Sequence, residues 1–473
     1  MKLTASDLLK VRHERAIGFE RISKKGITGV STDSRSVHKG DLFVALRGET
    51  FDGHDFLQGV VKAGVSTLMV EQTWFGLKGN WLTTSGIPAL VVNDTAKAFG
   101  ELARVYRRKF KIPVLAVGGS NGKTTTKEMI AAVLKSKFLV LSTEGNLNNH
   151  IGVPQTLFRL EKKYKAAVVE IGTNHPGEVA YLCEILEPTH GLITNIGHEH
   201  LEFFRDLNGV ARAEGELFAW LAKQRGTNAV AFVNVDDHRL ARQARPAKKK
   251  MTYGFRASGV GVRGTILRFD RHACAEASFK PKRKQSFTVK LGVPGEHNAM
   301  NALAASAVGL AFKVPPAKIQ KALASFRAVS KRMQVFDIKG VTVINDTYNA
   351  NPDSVLAALR TLGSTETKGK RVAVLADMLE LGMSSEEAHR KVGQAASTSG
   401  VEYLLTYGTL ARQIHDAAAV KFKAHYDQKN VLAEYLAELL STGDVVLVKG
   451  SRGMKMEDVV TFLQERFQPR QSV

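Results

Sequence analysis

The chain has 473 residues, 44% of them apolar and 24% charged, with a formal net charge of +22. That length predicts two to four domains, and the composition excludes a disordered or fibrous chain. No apolar run approaches the roughly 18 residues that span a membrane, the N-terminus lacks the apolar core of a secretion signal, and Cys183 and Cys274 make neither a disulfide framework nor a zinc pattern; a cytoplasmic protein without membrane insertion is expected.

Residues 1–95 read as a small N-terminal α/β domain. Its densest polar segment is Val30-Ser-Thr-Asp-Ser-Arg35, followed by segments 40–48 and 52–56. Short hydroxyl and carboxylate groups beside an arginine at a strand end suit a sugar or nucleotide diphosphate. Asp33 and Ser34 would equally cap a polar turn.

A central domain is expected over 96–326. A helical segment, 96–110, leads into Val114-Leu-Ala-Val-Gly-Gly-Ser-Asn-Gly-Lys-Thr-Thr-Thr-Lys127. The apolar run 114–117 predicts a buried strand, and Met129, Ile130, Val133 and Leu134 recur at helical spacing. Strand, glycine turn and helix start form a phosphate cradle, in which backbone N–H groups of Gly119, Ser120, Asn121 and Gly122 face an anion. Lys123 would reach the β- and γ-phosphates and Thr124 would hold Mg²⁺, with Thr125 next in the helix. The loop is one residue shorter than the ordinary P-loop pattern, because Val117 stands where that pattern has its first glycine.

An asparagine-rich loop follows, Thr143-Glu-Gly-Asn-Leu-Asn-Asn-His150, with Asn146 and Asn149 as ligand contacts or as caps of a turn. The strand 166–172 carries Glu170 inside an apolar run, where a carboxylate must be paired or bind a cation. A further strand, 189–197, ends in His198-Glu-His-Leu-Glu202, at the place where parallel sheets put their chemistry. Taken alone this cluster is a metal site or a helix cap; the upstream P-loop and Glu170 favour metal. The helix 210–218 bears Glu214. The stretch 251–290 alternates like antiparallel β structure. His297, Asn298 and Asn301 open a small-residue helix and would face a base or cap the helix.

From 327 to 473 apolar strands recur at 341–344, 372–375, 403–406 and 445–448 with helical stretches between, a second, Rossmann-like α/β domain. Polar clusters at its strand ends are Asn345-Asp-Thr-Tyr-Asn-Ala-Asn-Pro352, 377–382 and Lys449-Gly-Ser-Arg-Gly453. The basic runs 245–250 and 280–284 read as solvated loop faces, without the interleaved aromatics of a nucleic-acid surface.

These motifs, in this order and over nearly the whole chain, resemble the ATP-dependent Mur ligases of peptidoglycan synthesis. The asparagine loop, Asn174-His-Pro-Gly-Glu178 and Tyr348-Asn-Ala-Asn-Pro352 are similar to those of the dipeptide-adding members. The resemblance implies three α/β domains: a small N-terminal uridine-diphosphate domain, a central P-loop ATPase domain with a parallel sheet, and a C-terminal Rossmann-like domain completing the nucleotide site. It implies ATP and Mg²⁺ as cofactors, UDP-N-acetylmuramoyl-tripeptide and D-alanyl-D-alanine as partners, no nucleic acid, and a monomer.

By the same resemblance Lys123, His200 and Glu214 are catalytic, and Thr124, Glu170, His200 and Glu214 hold metal. Asn298 or Asn301 contacts adenine, Arg332 the phosphates and Asp346 the ribose. Ser31, Asp33, Ser34 and Arg35 match the uridine region, with Asn146 and Asn149 also on the substrate side, and Asn349 and Asn351 take the acceptor dipeptide. Two positions depart from the pattern: Gly118 replaces a common threonine, and Glu214 stands where relatives carry a lysine carbamylated by CO₂. Glu214 is expected to supply that carboxylate permanently. Sister ligases adding a single amino acid, folylpolyglutamate-synthase-like enzymes and a basic RNA-binding P-loop NTPase are the competing readings.

Overall fold

Short apolar runs become buried strands in every part of the chain. The computed structural model describes residues 2–23, 26–224 and 228–467; Met1 and the end of the expected third domain, 468–473, lie outside them. The chain has a three-domain α/β fold with strands and helices interleaved. It packs as two compact units, one of Met1–Ala116, Phe138–Thr173 and Gly177–His190, the other of Val117–Lys137, Asn174–Pro176 and Gly191–Val473.

In the first unit, β1 (Arg15–Ile17), β2 (Val30–Ser31), β3 (Leu42–Val44), β4 (Thr67–Glu71) and β5 (Ala89–Val92) form a sheet in the order β1-β5-β4-β3-β2. Only β1 runs antiparallel to its neighbour. Phe43, Leu68, Val70 and Val91 pack on Leu57, Val60 and Leu82. The strand β6 (Val114–Gly118) starts in this unit, where β7 (Val140–Ser142) and β8 (Ala166–Glu170) pair in parallel. Glu170 ends β8 and is buried.

In the second unit β6 ends in the glycine loop, and the helix Lys123–Lys135 follows at once. The strand read over 189–197 is shorter, β9 (His190–Ile193), so everything from Thr194 to His200 is loop beyond a strand's C-terminal end. Next come β10 (Val230–Asn234), β11 (Lys250–Gly254), β12 (Val262–Phe269), β13 (Cys274–Pro281) and β14 (Phe287–Pro294). The antiparallel expectation for 251–290 is corrected in part: β11 pairs in parallel with both β10 and β12, and only β12–β13 and β13–β14 are antiparallel. The helix His238–Gln243 lies between β10 and β11, and such a crossover returns the chain in its original direction.

The last sheet contains β15 (Gln334–Ile338), β16 (Val341–Asp346), β17 (Arg371–Ala376), β18 (Tyr403–Tyr407), β19 (Phe422–Tyr426) and β20 (Val445–Lys449), ordered β15-β16-β20-β17-β18-β19. Ala373 and Leu375 enter one core with Leu359, whereas Val372, Val374 and Ala376 enter the other with Val459, the period of two expected for a strand covered on both faces. Because β20 lies between β16 and β17, the ends of these three strands bring Asp346, Lys449 and the Asp377 loop to the switch point of the sheet.

Candidate functional site

The glycine loop closes on itself through polar contacts that its sequence makes possible. Gly119 has φ 113° and Gly122 φ 77°. A Cβ on Gly119 would come within 2.3 Å of Thr194 Oγ1, and one on Gly122 within 2.9 Å of Asn301 Oδ1. Only glycine fits either place. The helix behind the loop has no side-chain N-cap, so its first N–H groups and its dipole are directed at whatever anion lies there.

The loop after β9 braces this turn. Asn195 Oδ1 accepts from the Asn121 amide at 3.1 Å, while Asn195 Nδ2 and Thr194 Oγ1 both donate to Asn121 O, at 2.8 and 2.7 Å. Ser120 Oγ accepts from Gly197 N at 2.8 Å. Asn351 Nδ2 donates to Asn121 Oδ1 at 2.9 Å. Asp353 Oδ2 accepts from His198 N at 2.6 Å and lies 2.9 Å from its Nδ1. The helix Pro352–Ser364 thus carries two polar side chains to the phosphate loop and its brace. Asn351 is also that helix's N-cap, in a capping box with Ser354.

Lys123 is drawn back towards its own loop. Its Nζ donates to Gly119 O at 2.5 Å and lies 3.2 Å from Glu199 Oε2. Glu214 Oε2 accepts from Gly119 N at 2.8 Å, and its Oε1 is buried without a hydrogen-bond partner. Burial, then the charge of Glu199, pushes the Glu214 carboxyl up to about 8, against the pull of Lys123 and the Gly119 amide. Glu199 Oε1 is likewise buried and unpartnered. Glu199 belongs to the His198–Glu202 cluster read from the sequence as a metal site, although no individual role was expected of it.

His200 sits in the left-handed region at φ 47°, and its Nδ1 lies 2.6 Å from Glu380 Oε2. His200 and Glu214, read together as metal ligands, therefore face different partners here. In the first unit Glu170 Oε1 accepts from Asn148 Nδ2 at 2.9 Å, and its Oε2 is buried and unpartnered. Asn148 was read only as part of the asparagine loop, while the Asn149 Oδ1 accepts from Ile151 N and Gly152 N, as a capped turn requires. Asn146 offers its backbone carbonyl to Asn148 N. Among the described residues no three His, Cys, Asp or Glu side chains form a ready-made metal cage. The unpartnered oxygens of Glu170, Glu199 and Glu214 are nevertheless the donors that a hard divalent cation takes.

The remaining residues expected at a nucleotide are held by the protein itself. Asn298 Nδ2 donates to Pro294 O and Asn301 Nδ2 to Asn298 Oδ1, and both residues are buried. Arg332 stacks its guanidinium 3.7 Å above the Tyr348 ring. Asp346 accepts from Lys449 Nζ at 2.6 Å and from Met333 N at 3.0 Å. Asn349 Oδ1 accepts from Ala350 N and Arg452 N.

The four residues read as a uridine site divide. Arg35 Nε and Nη2 close on the Asp33 carboxylate at the surface, which holds Asp33 at about 2. Ser31 instead lines a cavity of about 540 Å³ with Ser36, His38, Asp41, Gln155 and Arg159. Asp33, Ser34 and Arg35 are not among its lining residues. Gln155 and Arg159 were missed because they come from the helix region 152–159, far along the chain.

Comparison with known proteins follows the same order along the chain. The family model described as "Mur ligase family, catalytic domain" matches residues 26–107, the Mur ligase middle domain 117–309, and the "Mur ligase, glutamate ligase domain" 331–452. The chain is 37% identical to the UDP-N-acetylmuramoyl-tripeptide–D-alanyl-D-alanine ligase of Escherichia coli, covering 93% of this chain and 94% of that protein. The crystal structure of MurF from Acinetobacter baumannii superimposes with a TM-score of 0.88 at 32% identity, covering 98% and 99%. That of the MurF ligase from Thermotoga maritima in complex with ADP gives 0.82 at 28% identity, covering 93% and 97%.

Proposed function

The chain belongs to the Mur ligase family, and from that premise we propose how it works. It is an ATP-dependent ligase that adds D-alanyl-D-alanine to UDP-N-acetylmuramoyl-tripeptide in peptidoglycan synthesis. The observation that carries the mechanism is the glycine loop with Lys123 at its rim and a helix start with no side-chain cap behind it.

The tripeptide's terminal carboxylate attacks the γ-phosphorus of ATP, giving an acyl phosphate and ADP. The amine of D-alanyl-D-alanine then attacks the acyl carbon, and the tetrahedral adduct expels phosphate as the amide forms. Such a sequence asks the protein to align reactants and to offset charge on the transferring phosphoryl group. We assign Lys123 and the helix start at Thr124 and Thr125 to the phosphates, together with Arg332. Asp346, already oriented by Lys449, is assigned to the ribose, and Asn298 and Asn301 to the base. Asn349 and Asn351 are proposed to face the acceptor.

The reaction's Mg²⁺ would screen the phosphate charges. Thr124 and Glu170 each keep a magnesium role in this proposal, and so do His200 and Glu214, whose buried or loop-held donors suit it. The Ser31 cavity, with His38 and Arg159, is proposed for the uridine diphosphate. A cytoplasmic monomer is part of the same reading, and among the described residues no helix is long and apolar enough to cross a membrane.

The test is phosphate release from ATP in the presence of UDP-N-acetylmuramoyl-tripeptide, with and without D-alanyl-D-alanine. Release that requires the dipeptide, with the matching mass gain on the UDP-sugar, is expected. Release with a single amino acid in place of the dipeptide would overturn the acceptor assignment.

A further inference from the structure

The two donors best placed to greet a phosphate are both occupied by carboxylates of the chain. The amide of Gly119 is taken by Glu214 Oε2 at 2.8 Å, and the ammonium of Lys123 lies 3.2 Å from Glu199 Oε2. Each carboxylate keeps a second oxygen, Oε1, buried and without a partner. Glu199 and Glu214 are only 6% and 1% exposed. Two buried carboxylates therefore share one ammonium. Uncompensated charge in such a place is strongly unfavourable.

We propose that Glu199 and Glu214 hold the phosphate donors of the glycine loop and, on nucleotide entry, exchange the Lys123 ammonium for a divalent cation bound through their two unpartnered oxygens. Glu199 is the new element, and the idea rests on the reading of Lys123 as the nucleotide lysine. The exchange balances once the proton is counted: Lys123 carries its positive charge to the phosphates, the proton on the Glu214 carboxyl leaves to solvent, and the two carboxylates meet the double charge of the incoming ion. Hard oxygen donors are the ligands that Mg²⁺ and Mn²⁺ select. Substitution of Glu199 by glutamine keeps the shape and removes the charge.

The experiment is Mn²⁺ binding to the full chain, followed by electron paramagnetic resonance and calorimetry, with and without a non-hydrolysable ATP analogue. In the wild type two Mn²⁺ ions are expected per nucleotide complex. In Glu199→Gln the weaker of the two should lose at least about tenfold in affinity, the scale on which metal sites feel the loss of a supporting group. The metal-free analogue should bind this variant no more weakly than the wild type, because its phosphates no longer have to displace a carboxylate from Lys123. Glu214→Gln should weaken the same Mn²⁺ ion, with an unchanged unfolding midpoint showing that either variant is folded. Unchanged affinity for the second ion in a folded Glu199→Gln overturns the proposal and leaves the proposed function standing. A wild type that binds no nucleotide at all overturns the functional reading as well.

Discussion

At the scale of single residues, the lysine of the glycine loop and one half-buried histidine give the clearest expectations. Lys123 carries an ammonium at the rim of the glycine loop, so Lys123→Ala should lower ATP turnover by about 10³-fold, comparable with removing one preorganised donor from a charged transition state. Steady-state phosphate release checks it, and a loss below tenfold would remove Lys123 from the chemistry. His297 is read differently. Burial holds its imidazole down at about 4, below the ordinary 6.5. The unfolded chain then binds more protons than the folded one between those two values. The neutral histidine's contribution is fully present above about 6.5 and is lost as pH falls towards 4, by up to about 1.4 kcal/mol per pH unit. Thermal unfolding at neutral pH and at about pH 5 measures the slope, and His297→Gln should make it shallower. Part of the site was visible at this scale from the sequence alone: a glycine loop, a lysine and Glu170 in an apolar run each announce their chemistry locally. Gln155 and Arg159 did not, because an amide or a guanidinium looks like surface until the fold turns it into a cavity, and Glu199 and Asn148 were legible only as members of their clusters.

At the scale of elements, the helix Pro352–Ser364 does two jobs through one residue. Asn351 caps it and also donates to Asn121 in the phosphate loop. Asn351→Ala should cost about 1 kcal/mol of stability, the usual value of a lost N-cap, and should raise the KM for ATP. Asn351→Ser keeps the cap but is too short to reach Asn121, so it should retain the melting temperature and still raise that KM. Equal KM values for Asn351→Ser and the wild type would show that the contact to Asn121 is without consequence. The glycine loop gives a harsher expectation. Gly119→Ala needs φ 113° and a Cβ 2.3 Å from Thr194 Oγ1, so it should abolish nucleotide binding, as measured by calorimetry with ADP. Elements were legible where the pattern was strong: β6, β8, β17 and β20 are apolar runs, whereas Asn351 was read as an acceptor contact and its capping of a helix was not. The edge strands β15 and β19 were not read, because half-buried strands carry a weak pattern. The parallel pairing of β11 was not legible either, since alternation reports which face a residue occupies and says nothing of the neighbour's direction. The contact between Asp353 and His198, 155 residues apart, has no local signature of any kind.

For the whole molecule, the net charge of +22 suits both an enzyme of anionic substrates and a binder of nucleic acid, and salt tells the two apart. ATP and UDP-N-acetylmuramoyl-tripeptide carry several negative charges each, whereas D-alanyl-D-alanine is a zwitterion of zero net charge at neutral pH. A positive protein steers the first two and leaves the third indifferent. Screening shortens that reach to a Debye length of about 8 Å at physiological salt and about 3 Å at 1 M. Raising the ionic strength should therefore raise the KM for ATP and for the UDP-tripeptide several-fold while that for the dipeptide moves little. The neutral substrate serves as the internal control, since salt damage to the fold would move all three together. If the dipeptide's KM rises in step with the others, the charge acts on the protein's own stability. RNA offers the complementary arm: a nucleic-acid surface would neutralise many phosphates and show affinity falling steeply and linearly on a log–log salt plot. Under the ligase reading, excess RNA leaves dipeptide-dependent phosphate release at low salt unchanged. Strong competition by RNA there would assign the charge to a polymer, and the absence of competition together with a salt-sensitive UDP-tripeptide KM assigns it to the substrates.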